Sequence, residues 1–165
     1  MIEILNRWTE EVIFASETAK TIKEAVEEAV KKKVSLVEAD LSGVNLHGAN
    51  LITADLHEAD ISQANLCEAN FTEADVSEAN LTEVNLTKAD FHRANLCRAC
   101  LYGANLADAN LRDASFYRAN LSKVNLIGTR ISGTNFAEAN LYYVKMDEKI
   151  FKQITEKWFE WEIKK

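Results

Sequence analysis

Ala64-Asn65-Leu66-Cys67-Glu68 is followed by Ala69-Asn70-Phe71-Thr72-Glu73, Ala74-Asp75-Val76-Ser77-Glu78 and Ala79-Asn80-Leu81-Thr82-Glu83. The same five-residue pattern extends without a slip from Val34 to the unit centred on Leu141, giving 22 consecutive units. The central position is Leu in 15 of them, and otherwise Ile61, Phe71, Val76, Phe91, Phe116, Ile131 or Phe136. Two residues earlier stands Ala in 16 units, with Val or Thr in the rest. Between them stands Asn or Asp in 18, the exceptions being Ser35, Cys100, Ser115 and Arg130. The last two positions are polar or variable.

A helix face repeats every 3.6 residues and a strand face every 2, so a period of five suits neither. It suits a chain that turns one corner per unit and sends one large and one small apolar side chain inward each time. Four units per turn bring every central side chain to one axis, with small residues where corners converge. Asn and Asp fit the corners because their side chains bond nearby backbone and tolerate unusual backbone angles. Residues n and n+20 then stack. Phe71 is expected against Phe91, Phe116 against Phe136, and Asn45, Asn65, Asn85, Asn105 and Asn125 as an unbroken ladder.

The motif Ala-Asn-Leu-Xaa-Xaa, as at Ala64–Glu68 and Ala104–Asp108, resembles the signature of the pentapeptide-repeat family. The resemblance implies a mainly β fold, a right-handed quadrilateral β-helix solenoid of about five and a half coils, roughly 25 Å long at sheet spacing. The expected division is residues 34–146 as the β-helix, 1–33 as a cap and 147–165 as a capping or dimerisation segment. Family members often dimerise through their C-terminal ends, which implies a homodimer here. Some members mimic B-form DNA, bind DNA gyrase and protect against quinolones.

Open ends of a solenoid expose core and unpaired backbone unless covered. Residues 2–6 and 11–15 read as a hairpin around Trp8-Thr9. Thr21 with Glu24 reads as a capping box opening a helix whose apolar face is Ile22, Ala25, Val26, Ala29 and Val30. Lys31, Lys32 and Lys33 suit its C-terminal end. Asp147 to about Ile163 reads as a second helix, with Ile150, Ile154, Trp158 and Trp161 as cap or dimer residues.

The chain carries a net charge of −7, no Pro, five Gly and three Cys. The balance favours solubility and gives no reason for direct nucleic-acid binding. No apolar run approaches about 18 residues, and an odd cysteine count suits free thiols, so a cytoplasmic setting is expected. Cys97-Arg98-Ala99-Cys100 is one pair where zinc needs four ligands. His47, His57 and His92 fall on three different faces. With no phosphate loop or nucleophile elbow, no catalytic, metal or cofactor site is expected. From Val34 to Asp90 eleven acids face one base; from Phe91 to Met146 three acids face seven bases. The expectation is therefore a scaffold that binds a protein through an outer face. The candidate surface is Tyr102, Tyr117 and Tyr142 with Arg98 and Arg118. The alternative is a DNA mimic acting through Glu58, Glu68, Glu73 and Glu78.

Overall fold

A computed structural model of the chain describes residues 1–163, with side chains described for residues 1–156. In chain order the elements are strands β1 (Ile2–Leu5) and β2 (Val12–Ser16) and helices α1 (Ile22–Lys31) and α2 (Glu148–Ile163). Between α1 and α2 the chain winds in coils of twenty residues. Parallel bridges join each corner residue to the one twenty later, from Asp40↔Asp60 to Asn125↔Lys145. Four faces result, running from Leu36, Leu41, Leu46 and Leu51.

The unit 69–73 shows why five residues suffice. The Asn70 N–H bonds back to Ala49 O at 2.9 Å, while Phe71 and Glu73 donate forward to Asp90 O and His92 O at 2.7 and 3.0 Å. Ala69 donates to Leu66 O at 3.0 Å, closing the preceding turn. Thr72 N–H, the fifth, donates to Asn70 Oδ1 at 2.9 Å. Every N–H of the unit has a partner, and one belongs to the Asn side chain, which is the physical demand behind Asn or Asp at the corner. Pairing is confined to single-residue bridges, so the only continuous strands among the described residues are β1 and β2. A side of two or three residues between corners is too short for more.

The strained backbone does not lie at the corner Asn. It lies at the last position of the unit, where all 22 residues have φ between 56° and 77°. Seventeen of these are not glycine, and all five glycines of the chain occupy this position. Gly133 also makes room for Asp113, whose carboxylate lies where a Cβ would stand.

Of the 22 central side chains, all but Leu141 are buried in one column. Each contributes about 1.5–3 kcal/mol gross, before entropy is charged against it. Phe71 stacks on Phe91 with centroids 4.5 Å apart, and Phe116 on Phe136 at 5.5 Å. Thr129 and Thr134, at two of the small positions, donate their buried hydroxyls to Leu126 O and Leu111 O.

The corner ladder is interrupted once. Asn65 donates to Asn45, Asn85 to Asn65 and Asn125 to Asn105. Asn105 instead donates to Thr87 Oγ1 at 3.0 Å, and the Thr87 hydroxyl in turn donates to Asn85 Oδ1, so the rung runs through the hydroxyl.

At the N-terminal end, the hairpin β1–β2 and α1 supply bonds that a preceding coil would have made. Asp40 N–H reaches Leu5 O at 2.8 Å, and Asn50 N–H reaches Glu27 Oε1 at 2.9 Å. Val26 and Ala29 of α1 are buried in the same column as Leu36. Thr21 Oγ1 accepts from Glu24 N–H, as a capping box requires, while the Glu24 carboxylate binds Lys20 N–H rather than that of Thr21. At the other end, Asp147 accepts from Ile150 N–H with one oxygen and from Gly128 N–H with the other. These bonds hold its carboxyl below the usual range. Ile150 and Ile154 are buried against the column, whereas Phe151 is exposed. The side chains of Trp158 and Trp161 lie outside the described residues.

Candidate interaction surface

The outer surface consists of the last two positions of each unit. Tyr102 and Tyr142 share the Leu41 face, two coils apart. Tyr117, Arg98 and Arg118 share the neighbouring Leu36 face. The structure therefore divides the predicted Tyr and Arg group between two adjacent faces.

Both arginines are engaged within the chain. Arg98 pairs with Glu78 at 3.2 Å and Arg118 with Glu138 at 2.7 Å. Arg118 also lies over the Tyr117 ring at 4.9 Å, and the Tyr117 hydroxyl donates to Glu138. Hydrogen bonds from Arg118 and then Tyr117 lower the Glu138 pKa; the Glu138 hydrogen bond raises that of Arg118. Tyr102 is likewise covered by Lys123, whose Nζ donates to its hydroxyl at 2.6 Å. Tyr142 and Tyr143 differ: their rings meet at 6.0 Å, and they are 73% and 80% exposed. Tyr143 is also a bulky residue held at φ 57°. The sequence pattern offered a signal for it, since it is the one aromatic in the last position of a unit.

The acidic group is largely neutralised. Glu68 pairs with Lys88 and Glu73 with Arg93, both at 3.5 Å, in addition to Glu78 with Arg98. These three ion pairs form a belt where the acidic half of the rod meets the basic half. At this junction charges of opposite sign oppose one another across coils, whereas Glu38, Glu58 and Glu78 stack in one row as like charges. Glu58 stands 3.2 Å from His57 Nε2. His57 Nδ1 lies 2.9 Å from Ser77 Oγ, which donates to Asp75 Oδ1. That hydroxyl is buried and its proton is committed to Asp75, an arrangement of structure rather than of an activated nucleophile.

His47 and His92 stand on the Leu46 and Leu51 faces, away from His57. Cys97 contacts Ser115 Oγ at 3.1 Å, and Cys100 approaches Thr82 Oγ1 at 3.5 Å. Among the described residues, no three His, Cys, Asp or Glu side chains gather in a metal-holding group. The hollows beside α1 and at the start of α2 are open depressions in the surface. Among the described residues, no helix is long and apolar enough to cross a membrane.

The family model described as pentapeptide repeats (8 copies) matches residues 35–72, 68–101, 99–136 and 114–152. The chain belongs to the pentapeptide-repeat family. The coils described above are thus those of the family's right-handed β-helix. Similar solved structures include the pentapeptide repeat protein Rfr23 from the cyanobacterium Cyanothece 51142, at 27% identity and TM-score 0.44, covering 66% of this chain and 81% of that one. HetL, a pentapeptide repeat protein involved in heterocyst differentiation regulation from Nostoc sp. strain PCC 7120, matches at 31% identity and TM-score 0.41, covering 68% and 63%. QnrB1, a plasmid-mediated fluoroquinolone resistance protein, matches at 17% identity and TM-score 0.38, covering 73% and 66%. No curated protein sequence matches the chain.

Proposed function

We propose that this pentapeptide-repeat protein is a non-enzymatic scaffold that docks a protein partner on the C-terminal part of its Leu41 face. The carrying observation is the Tyr142–Tyr143 pair, large aromatic area presented to solvent, with Tyr142 O accepting from Lys123 N–H at 2.8 Å and Tyr142 N–H donating to Asn140 Oδ1 at 3.1 Å. Exposed aromatic side chains, with large contact area and only two side-chain torsions to fix, are effective interface anchors. Arg98 and Arg118 then serve to brace Tyr117 and the coil edges, with Tyr102 and Tyr117 flanking the docking site.

Site-specific photocrosslinking tests this. A crosslinker at Tyr142 should label one partner in native host extract, and excess wild-type protein should suppress the labelling. A variant carrying Tyr142→Ala and Tyr143→Ala should not suppress it. A crosslinker at Ile52, on the opposite face, should label nothing comparable; equal labelling from both positions would refute the reading.

The proposed setting is the cytoplasm, where the three free cysteines stay reduced. We assign the hairpin with α1 and the first turns of α2 as caps of the two solenoid ends. A homodimer formed through the C-terminal end would use the exposed Phe151 rather than the buried Ile150 and Ile154. Light scattering at tens of micromolar distinguishes dimer from monomer. Gyrase mimicry calls for a continuous negative surface, and three of its four candidate glutamates are ion-paired. The scaffold reading expects no inhibition of gyrase supercoiling, and dose-dependent inhibition would replace it with mimicry.

A further inference from the structure

In most units one oxygen of the Asn or Asp serves the residue two places on. Asn70 Oδ1 accepts from the Thr72 N–H at 2.9 Å and from the Thr72 hydroxyl at 2.6 Å. Asn120 Oδ1 does the same for Ser122, at 3.1 and 2.6 Å. In the unit Thr129–Gly133 the Asn position is held by Arg130, and a guanidinium has no acceptor to offer. Ser132 is exposed, and neither its N–H nor its hydroxyl has a partner among the described residues. By the geometry of the other units, both donors can reach the place where the missing oxygen would stand. Ile131 and Gly133 lie in the last full coil. Their N–H groups, which inner units send to the coil beyond, also lack a partner among the described residues.

The side chain eighteen residues earlier touches the same place. Thr87 meets Asn105 at 3.0 Å, Cys97 meets Ser115 at 3.1 Å and Thr82 meets Cys100 at 3.5 Å, each across a separation of 18. The same relation sets Arg112 beside Arg130. Both are exposed, and among the described residues neither guanidinium has an ion-pair or hydrogen-bond partner. Arg93, Arg98 and Arg118, by contrast, are each paired with a glutamate. Asp113 follows Arg112 in the chain, but one oxygen of its carboxylate lies against Gly133 and the other is 3.9 Å from His92 Nδ1. Two neighbouring guanidinium groups repel, and an anion shared between them reverses the sign of that interaction.

We propose that Arg112, Arg130 and Ser132 bind a phosphate monoester. One phosphate oxygen takes the place of the missing Asn oxygen and accepts from the Ser132 N–H and hydroxyl. The two guanidinium forks hold the remaining oxygens through charge-assisted hydrogen bonds, a geometry that planar guanidinium groups match. A phosphate monoester carries a charge of about −1.5 to −2 near neutral pH, which offsets both arginines. A carboxylate or a phosphodiester brings only one charge against two. The site lies on the Leu51 face, opposite the Tyr142–Tyr143 surface, and its test stands or falls independently.

The probes are the blocked peptide acetyl-Gly-Ala-phosphoserine-Ala-Gly-amide, its unphosphorylated form and inorganic phosphate, each titrated into full-length, isotope-labelled protein near neutral pH. The phosphopeptide should shift the Ser132 amide saturably, and the unphosphorylated peptide should bind about tenfold or more weakly. Arg130→Asn rebuilds the ordinary unit and supplies the missing oxygen from the chain itself. That variant should fold, melt no lower than the wild type and bind the phosphopeptide about tenfold or more weakly. Arg112→Gln should lose about as much. Lys88→Gln removes the same charge from the Leu46 face and should change binding by less than about twofold. Weaker binding of inorganic phosphate than of the phosphopeptide assigns the group to a phosphorylated partner; equal binding assigns it to the free anion, and either result supports the site. The absence of a saturable Ser132 shift from both up to about 10 mM would overturn the proposal. So would equal losses in Arg130→Asn and Lys88→Gln, which would reduce the effect to overall charge.

Discussion

Thr53 should be the weakest backbone position in the solenoid, and replacing it with Asn should stabilise the protein. It has φ 56° and is the only β-branched residue at the last position of a unit. Left-handed backbone costs an L-residue about 1–2 kcal/mol, with β-branched side chains at the high end. Asn relieves much of that because its short polar side chain bonds locally. The opposing loss is the Thr53 hydroxyl bond to Ile52 O at 2.7 Å, an exposed contact worth about 0.5 kcal/mol. The balance for Thr53→Asn is a gain of about 1 kcal/mol, or roughly 2–4 °C in Tm for a chain of this size. Thr53→Gly should gain less, because added freedom in the unfolded chain costs about 0.5–1 kcal/mol. The converse change, Gln63→Val at φ 59°, should lose about 1–2 kcal/mol although Gln63 is exposed. One residue earlier in the unit a β-branched side chain is harmless, so Ile52→Val should stay within about 0.5 kcal/mol of wild type. Thermal melts followed by circular dichroism, with urea titration, give the order. If Gln63→Val melts with the wild type and neither change at Thr53 raises Tm, the strain argument fails.

Leu86, wholly buried in mid-column, should lose about 2.5–4 kcal/mol as Leu86→Ala and fail to fold as Leu86→Asp. Outward-facing Glu83→Lys should change stability by less than about 1 kcal/mol, and equal melts for Leu86→Asp and Glu83→Lys would contradict the repeat frame. Burial opposes ionisation of Asp60, but bonds from Ser62, the Arg7 charge and Asn80 outweigh it and lower its pKa from 3.8. Its folded value lies below its unfolded one, so its stabilisation is complete above the unfolded pKa and is lost as pH falls through the folded value. Asp60→Asn should therefore flatten the stability curve below pH 3.8 in denaturant melts, leaving its slope near neutrality unchanged. Deleting residues 147–165 uncovers the column where Ile150 and Ile154 pack, and light scattering should report aggregation that the full chain does not show.

The period of five, the inward Leu and Phe residues, the stacked phenylalanine pairs and the hairpin and two helices at the ends were all legible in the chain. The reason is that each follows from local demands repeated without error. All central side chains but Leu141 are buried whatever their neighbours are, and in most units Asn or Asp at the corner supplies a side-chain acceptor for one N–H. The backbone angle was assigned to the wrong residue because Asn answers two descriptions, turn former and left-handed residue. Only the first applies here, while Glu, Lys and Arg carry the strain.

The exterior is where linear reading stopped. Charges twenty residues apart look like separate acidic and basic stretches, and the coil sets them against each other as Glu68–Lys88, Glu73–Arg93 and Glu78–Arg98. Tyr117 and Arg118 look available until Glu138 of the next coil binds both. Asn105 looks like one more rung until the Thr87 hydroxyl takes its place. The inside of this solenoid answers to a pattern with period five, carried by each unit separately. The outside answers to contacts at separation twenty between variable side chains, whose partners are chosen by rotamer and reach, and those exist only once the coils are stacked.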